Sequence, residues 1–239
     1  MTDHGNEPVP GDYYGQHRED LVDFILANTG PVNGRALDVG CAKGHVGAAL
    51  RRGGWEVWGV ETNEAVAAVA SECLNRVLVG QFPSPVAALE GAPYGLILFA
   101  DSLEHMDDPW AAIAAARNLL APDGVIVVSV PNVSHWSVMR ELWRGTWNYA
   151  DFGLLDRTHL RFFTPRTLET ALESAGLACA ASHMVRKGLR RRYTVVEWML
   201  RRIAPHALVL EMYVAARALD TPVEPSGLPT GSYGRQPAE

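Results

Sequence analysis

The sequence predicts an α/β protein built on a doubly wound, mostly parallel sheet, and three observations carry that expectation. The run Arg35 to Val39 ends in a glycine turn, Gly40-Cys41-Ala42-Lys43-Gly44, and then Val46 to Arg52 places apolar residues at helical spacing: strand, tight turn, helix. Further short apolar runs, Glu56 to Val60, Arg76 to Gly80, Leu96 to Ala100 and Val125 to Val130, alternate with helical stretches. Several of these runs stop at polar residues, namely Asp38, Glu61 and Asp101-Ser102-Leu103-Glu104-His105. Ligands of open α/β sheets sit outside the carboxyl ends of the strands, where these groups fall.

Taken in order, residues 1–12 are polar and hold Pro8, Pro10 and Gly11, which predicts a mobile start. Tyr13 and Tyr14 precede an amphipathic helix over Arg18 to Asn28, and serve either as a helix-packing pair or as part of a lid. Helices are expected over 64–76 and from Trp110 to Leu120, the latter closed by Ala121-Pro122-Asp123-Gly124. Thr164 as N-cap and Pro165 at the first position start a helix that runs to Ser174 and stops at Gly176. Leu177 to Val185 reads as a strand, Thr194 to Ile203 as a helix and Ala207 to Ala216 as a strand. The end of the chain, 219–239, is rich in Pro, Gly and Ser and is expected to be disordered. One folded unit over 13–218 is expected, because 239 residues at 48% hydrophobic suffice for one full core.

Plain alternation breaks after the fifth strand. Residues 133–163 gather Trp136, Trp143, Trp147, Tyr149 and Phe152 among Arg140, Glu141, Arg144 and Asn148. Such an insertion is either a cap over an organic substrate or a helix packing its rings on the core or on another subunit.

A net charge of −6 argues against a general nucleic-acid binder, DNA included, which needs a basic surface. Residues 186–202 are the exception, with Arg186, Lys187, Arg190, Arg191, Arg192, Arg201 and Arg202 against Glu197 alone. That stretch suits a solvated face, an anionic substrate, a membrane surface or RNA. Cys41, Cys73 and Cys179 are too few and too scattered for a disulfide framework. No signal-like start and no run of membrane-spanning length occurs, so a cytoplasmic location is expected.

The glycine turn carries the chemistry. Gly40 and Gly44 allow a sharp bend and a close approach of backbone N–H groups to a ligand, while Asp38 contributes an acceptor-only carboxylate. With an acid before the first glycine and a G-x-x-x-G spacing, the turn suits a cation better than a pyrophosphate. Glu61 ends the next strand, where an acid grips a ribose diol.

Asp38-x-Gly40-x-x-x-Gly44 with Glu61 resembles the S-adenosylmethionine site of class I methyltransferases. The resemblance extends through Asp101 to His105, Leu119 to Gly124, Val130-Pro131-Asn132 and His159 to Pro165, and is greatest to the ubiquinone-type branch of small-molecule enzymes found in natural-product and polysaccharide pathways. It implies a seven-stranded sheet whose last two strands form an antiparallel pair. It also implies a cofactor site of Asp38, Gly40, Cys41, Ala42, Gly44, Glu61, Gln81 and Phe82, to which Tyr14 is added if the tyrosine pair serves as a lid rather than in helix packing. Two positions depart from the family pattern. Ala42 stands where a third glycine is usual and fits if its φ is negative; Gln81 stands where an adenine-binding Asp is usual.

The implied reaction is in-line methyl transfer to a hydroxyl or amine of a small molecule, with His159, His105 or His135 as base. Asp101-x-x-Glu104-His105 with a later His159 is also similar to the E-x-x-E-H set of metal-dependent methyltransferases. That similarity implies a divalent ion, with Mn, Fe or Zn suited at least as well as Mg. The competing expectations are an RNA 2'-O-methyltransferase and a silent S-adenosylmethionine-binding partner subunit. A homo-oligomer is compatible with all three.

Overall fold

The computed structural model describes residues 18–30, 34–84, 93–186 and 193–219. Tyr14 and the two terminal segments expected to be mobile lie outside the described residues, apart from Leu219.

The central apolar runs form buried strands because helices cover the sheet on both faces, while the strands at its two edges are largely exposed or half-buried. In chain order the elements are α1 (Glu19–Asn28), β1 (Arg35–Val39), α2 (His45–Arg52), β2 (Glu56–Glu61), α3 (Glu64–Ser71), β3 (Arg76–Val79), β4 (Tyr94–Ala100), α4 (Pro109–Leu119) and β5 (Leu120–Pro131). They continue with α5 (Trp136–Trp143), α6 (Pro165–Ser174), β6 (Leu177–Arg186), α7 (Thr194–Ile203) and β7 (Val209–Ala218). The seven strands lie in the order β3-β2-β1-β4-β5-β7-β6. All pairs are parallel except β5 with β7 and β6 with β7, so the expected antiparallel pair closes one edge.

The strand alternation sorts side chains into two cores. Leu37, Val39, Ile97, Phe99, Ile126 and Val128 face α4 and α6 through Ile113, Ala116, Leu168 and Leu172. Ala36, Leu96, Leu98, Val125 and Val127 face α1 and α2 through Leu21, Ile25 and Leu50. Asp38 and Ser129 share the parity of this second set, which turns both toward the α1–α2 side. The chain reverses direction across the sheet between β1 and β4, and the crevice opens there.

Caps set several helix starts. Asn63 accepts from the N–H groups of Ala65 and Val66 at 3.0 and 3.2 Å, and Asp108 from Ala111 at 2.9 Å. Thr164 and Thr167 bond reciprocally, with Pro165 at the first position as the sequence predicts. Several boundaries differ from expectation, and β7 begins at Val209 because Pro205–Leu208 form a short helical turn. α3 stops at Ser71 because Leu74 is needed beneath the glycine loop and Asn75 in the sheet, where its side chain accepts from Val57 N–H at 2.9 Å. The turn expected at 121–124 is instead a bulged start of β5, with Tyr94 opposite Leu120 and Leu96 opposite Val125.

Candidate active site

The loop after β1 is fixed by backbone bonds before any side chain contributes. Gly40 and Cys41 N–H groups both donate to Val60 C=O, at 2.8 and 3.1 Å, and Gly44 N–H donates to Cys41 C=O at 2.8 Å. Gly40 and Gly44 have φ of 76° and 78°. A Cβ on Gly40 would sit 2.7 Å from Ser102 Cβ, so the β1 loop and the β4 loop are in direct contact.

Ala42 is a correction. Its φ is +46°, the left-handed conformation, and the negative φ on which its fit depended is absent. The strain at an L-residue there is about 1–2 kcal/mol, partly offset by the smaller unfolded-state entropy of alanine. Ala42→Gly is therefore expected to raise stability by about 1 kcal/mol and Tm by about 3 °C. A calorimetric melt checks this, and a lowered Tm contradicts it.

The two acids of the loop have different surroundings. Glu61 accepts from Ala42 N–H at 3.0 Å and from Asn63 N–H at 2.9 Å, which ties the end of β2 to the glycine loop. Asp38 is buried, its Oδ1 has no partner, and burial pushes its pKa up to about 7, with Glu61 adding to the rise and the Gly47 N–H opposing it. Cys41 turns its thiol into the core beneath Gly59, where burial raises its pKa; it contributes only backbone to the loop. Gln81 lies exposed at the rim, with its amide nitrogen 3.3 Å from Asp107. Phe82 is in the core, edge-on to Phe99 at 6.1 Å, so its ring packs the domain instead of offering an open face.

Across the crevice, Glu104, His105 and His159 converge, each offering one ligand atom within 4.8 Å of the others. Two bonds bring the distant segment in: Leu160 and Arg161 N–H groups donate to Glu104 C=O at 2.8 and 3.0 Å. Asp156 shapes the approach to His159 by accepting from the N–H and hydroxyl of Thr158 at 2.8 and 2.7 Å. His105 Nδ1 lies 3.1 Å from Thr158 C=O and His159 Nδ1 3.3 Å from Leu154 C=O. A carbonyl only accepts, so in each ring Nδ1 carries the proton and Nε2 presents its lone pair. The rings meet edge to face at 4.8 Å. Burial lowers both imidazole pKa values, with His105 depressing His159 further, and burial raises that of Glu104. Glu104 Oε2 and His159 Nε2 have no partner.

Two residues expected in this cluster are elsewhere. Asp101 is captured by Arg18 and lies 2.8 Å from Ser129 Oγ, and its backbone is left-handed with φ 49°. His135 caps α5, its Nδ1 facing Ser137, because its backbone is extended at the helix start. Arg18 itself went unnoticed in the sequence. It bonds Asp101 and Glu211 and lies 3.1 Å from both Ser129 Oγ and Tyr213 OH, while Tyr213 donates to Asp20. A cation at a helix N-terminus opposes the helix dipole, and that was the available signal that it serves another partner.

The aromatic insertion divides. Trp147 packs edge-on against Phe162 at 5.4 Å, and Phe162 lies 6.3 Å from His159, so these rings wall the histidine cluster. Trp136 instead meets Trp143 and Tyr193.

Known proteins share this arrangement of chain. The fold matches that of an S-adenosylmethionine-dependent methyltransferase from Archaeoglobus fulgidus, with a TM-score of 0.61 at 17% identity over 83% of this chain and 91% of that one. It also matches the [4+2]-cyclase SpnF, at 0.58 and 19% over 84% and 81%. In sequence, a ubiquinone biosynthesis O-methyltransferase of Psychrobacter arcticus is 30% identical over 167 residues, 63% of this chain. The match spans 61% of that relative's length. The model of a family described as a methyltransferase domain matches residues 13–182, well over half of the chain, and the chain belongs to that family.

Proposed function

We propose that the protein is an S-adenosylmethionine-dependent methyltransferase acting on a hydroxyl, or less favourably an amine, of a small molecule, within a domain over 13–218 capped by 133–163. The observation that carries this reading is the paired construction at the β1–β4 crevice: a glycine loop with an unpartnered buried carboxylate oxygen on one side, and two Nε2 lone pairs on the other. Asp38 fits a cationic ligand, since a buried acceptor lacking a donor is costly until one arrives. The backbone of Gly40 to Gly44 and the Glu61 carboxylate would hold the polar parts of the nucleoside and its amino-acid tail. When bound, S-adenosylmethionine supplies an electrophilic methyl on a sulfonium, a leaving group that needs no activation. His159 takes the acceptor's proton at Nε2, His105 holds that ring edge-on, and Trp147 with Phe162 excludes water. The relatives named for ubiquinone O-methylation favour oxygen as the acceptor atom; a natural-product or sugar hydroxyl fits the same chemistry.

A second reading has its own support. Glu104, His105 and His159 form a two-histidine, one-carboxylate set with one ligand atom of each within 4.8 Å of the others, and each ring is steadied by a carbonyl at its Nδ1, as metal ligands usually are at the nitrogen away from the ion. A divalent ion held there would lower the acceptor's pKa, and Mn, Fe or Zn suits the nitrogen donors better than Mg. Asp101 is left out of this set by its bonds to Arg18 and Ser129.

Titration calorimetry with S-adenosylmethionine and its demethylated product tests the central reading, followed by methyl-transfer assays on small phenols, sugars and RNA, with and without chelator. Asp38 must be ionised to hold a cation, and its pKa near 7 makes affinity rise with pH through neutrality. Binding is expected to be about tenfold weaker at pH 6 than at pH 8, with proton release visible as a buffer-dependent enthalpy at pH 6. No affinity for either nucleoside sinks the proposal. Transfer to RNA alone supports the 2'-O reading, and binding without transfer supports a silent partner subunit.

A further inference from the structure

Helix α7 has two apolar sides. Leu200, buried, and Val196 pack onto Trp136, Ala204, Ala207 and Leu208. The adjoining side, continuous with it and turned outward, carries Val195, Trp198, Met199 and Ile203, which are 71, 55, 47 and 74% exposed. At 100° per residue these four fall within an arc of about 140°. A helix apolar on the side away from the protein is waiting for a second neighbour. The apolar surface also reaches α5, because Tyr193 packs on Trp136 and Trp136 on Trp143, which is 69% exposed.

The charge at this face narrows what covers it. Arg202 lies within the exposed arc with its guanidinium 4.3 Å from the Trp198 ring, Arg201 flanks it in a pair with Glu197, and Arg144, exposed at the end of α5, pairs with Glu141 at 3.2 Å. Of the seven cations that the sequence holds in 186–202, Lys187, Arg190, Arg191 and Arg192 lie outside the described residues, so the charge described at this face is that of Arg202, Arg201 and Arg144. A second copy meeting this face about a two-fold axis would set arginine against arginine. RNA would use the arginines but gain little from exposed valine, isoleucine and methionine. An anionic lipid surface satisfies both, taking apolar side chains among its acyl ends and guanidinium groups on its phosphates.

We propose that α7, extended by the end of α5, is the face by which this protein lies on an anionic bilayer, on its surface and not across it. No helix among the described residues is long and apolar enough to cross one. The inference does not depend on the methyl-transfer reading and is tested without activity.

The test is co-sedimentation of the full chain with phosphatidylcholine vesicles, with and without phosphatidylglycerol, for the parent and for W198S/I203S. Both substituted side chains are exposed, and circular dichroism and a thermal melt confirm that the variant is folded. The parent is expected to sediment with mixed vesicles, weakly with pure phosphatidylcholine and less in high salt. The variant is expected to lose binding by about tenfold or more, given the apolar area it removes. With brominated lipid, quenching of tryptophan fluorescence is expected to shrink in W198F, which keeps an apolar ring but lacks that emitter. Failure of the parent to bind mixed vesicles overturns the proposal, as does equal binding by W198S/I203S or equal quenching in W198F. A lipid-free dimer broken by W198S/I203S also overturns it, in favour of a second copy.

Discussion

His159→Ala is expected to lower methyl transfer by about a thousandfold while affinity for S-adenosylmethionine stays within about twofold of the parent. The separation follows from where the side chain is. His159 lies near the end of the 133–163 insertion and meets His105 and Phe162, across the crevice from the Asp38 loop. Its Nδ1 bond to Leu154 C=O commits the ring to one tautomer, and its depressed pKa keeps Nε2 unprotonated at neutral pH. Removing the ring takes away the unprotonated Nε2 and leaves the Asp38 loop untouched. Rapid-quench measurement of a single turnover separates chemistry from release, and added imidazole is expected to restore part of the rate. Turnover within about tenfold of the parent removes both the base and the metal reading, since each needs this nitrogen.

Arg18→Met is expected to cost about 3 kcal/mol and to lower Tm by about 6–12 °C. Arg18 is mostly buried, its side chain 18% exposed, between the carboxylates of Asp101 and Glu211, which are 30 and 21% exposed. A methionine fills much of the volume but leaves two acids facing each other across Ser129. Most of the loss is therefore the penalty of unpaired charge and not of a missing contact. The triple variant R18M/D101N/E211Q is expected to recover more than half of it. Chemical denaturation of the three proteins measures this. A loss under about 1 kcal/mol in Arg18→Met, or no recovery in the triple variant, contradicts the account.

What could be read from the sequence was what local chemistry decides. The bend of Gly40 and Gly44, the Thr164–Pro165 start of α6 and the bounds of α7 depend on a few adjacent residues, and the structure has them at the expected places. What could not be read depends on partners far along the chain. Arg18 finds Asp101 at a separation of 83 positions, and this diverts an acid that spacing alone assigns to Glu104 and His105. The end of α3 is set by the space beneath Gly44, Gly47 and Gly59 that Leu74 fills. Ala42 is left-handed because Glu61, from the neighbouring strand, holds its N–H. The aromatic insertion could not be resolved either way by composition, and the structure has it facing both ways, Trp147 toward the histidines and Trp136 toward α7.

The paired bonds from Leu160 and Arg161 to the Glu104 carbonyl, with the His105 bond to Thr158, rivet two stretches that the chain separates by more than fifty residues. Glu104, His105 and His159 are thus fixed through main chain from both stretches, and Trp147 reaches them only through Phe162. Changes around Trp147 can therefore alter what lies against the two rings without touching the main-chain bonds that align them.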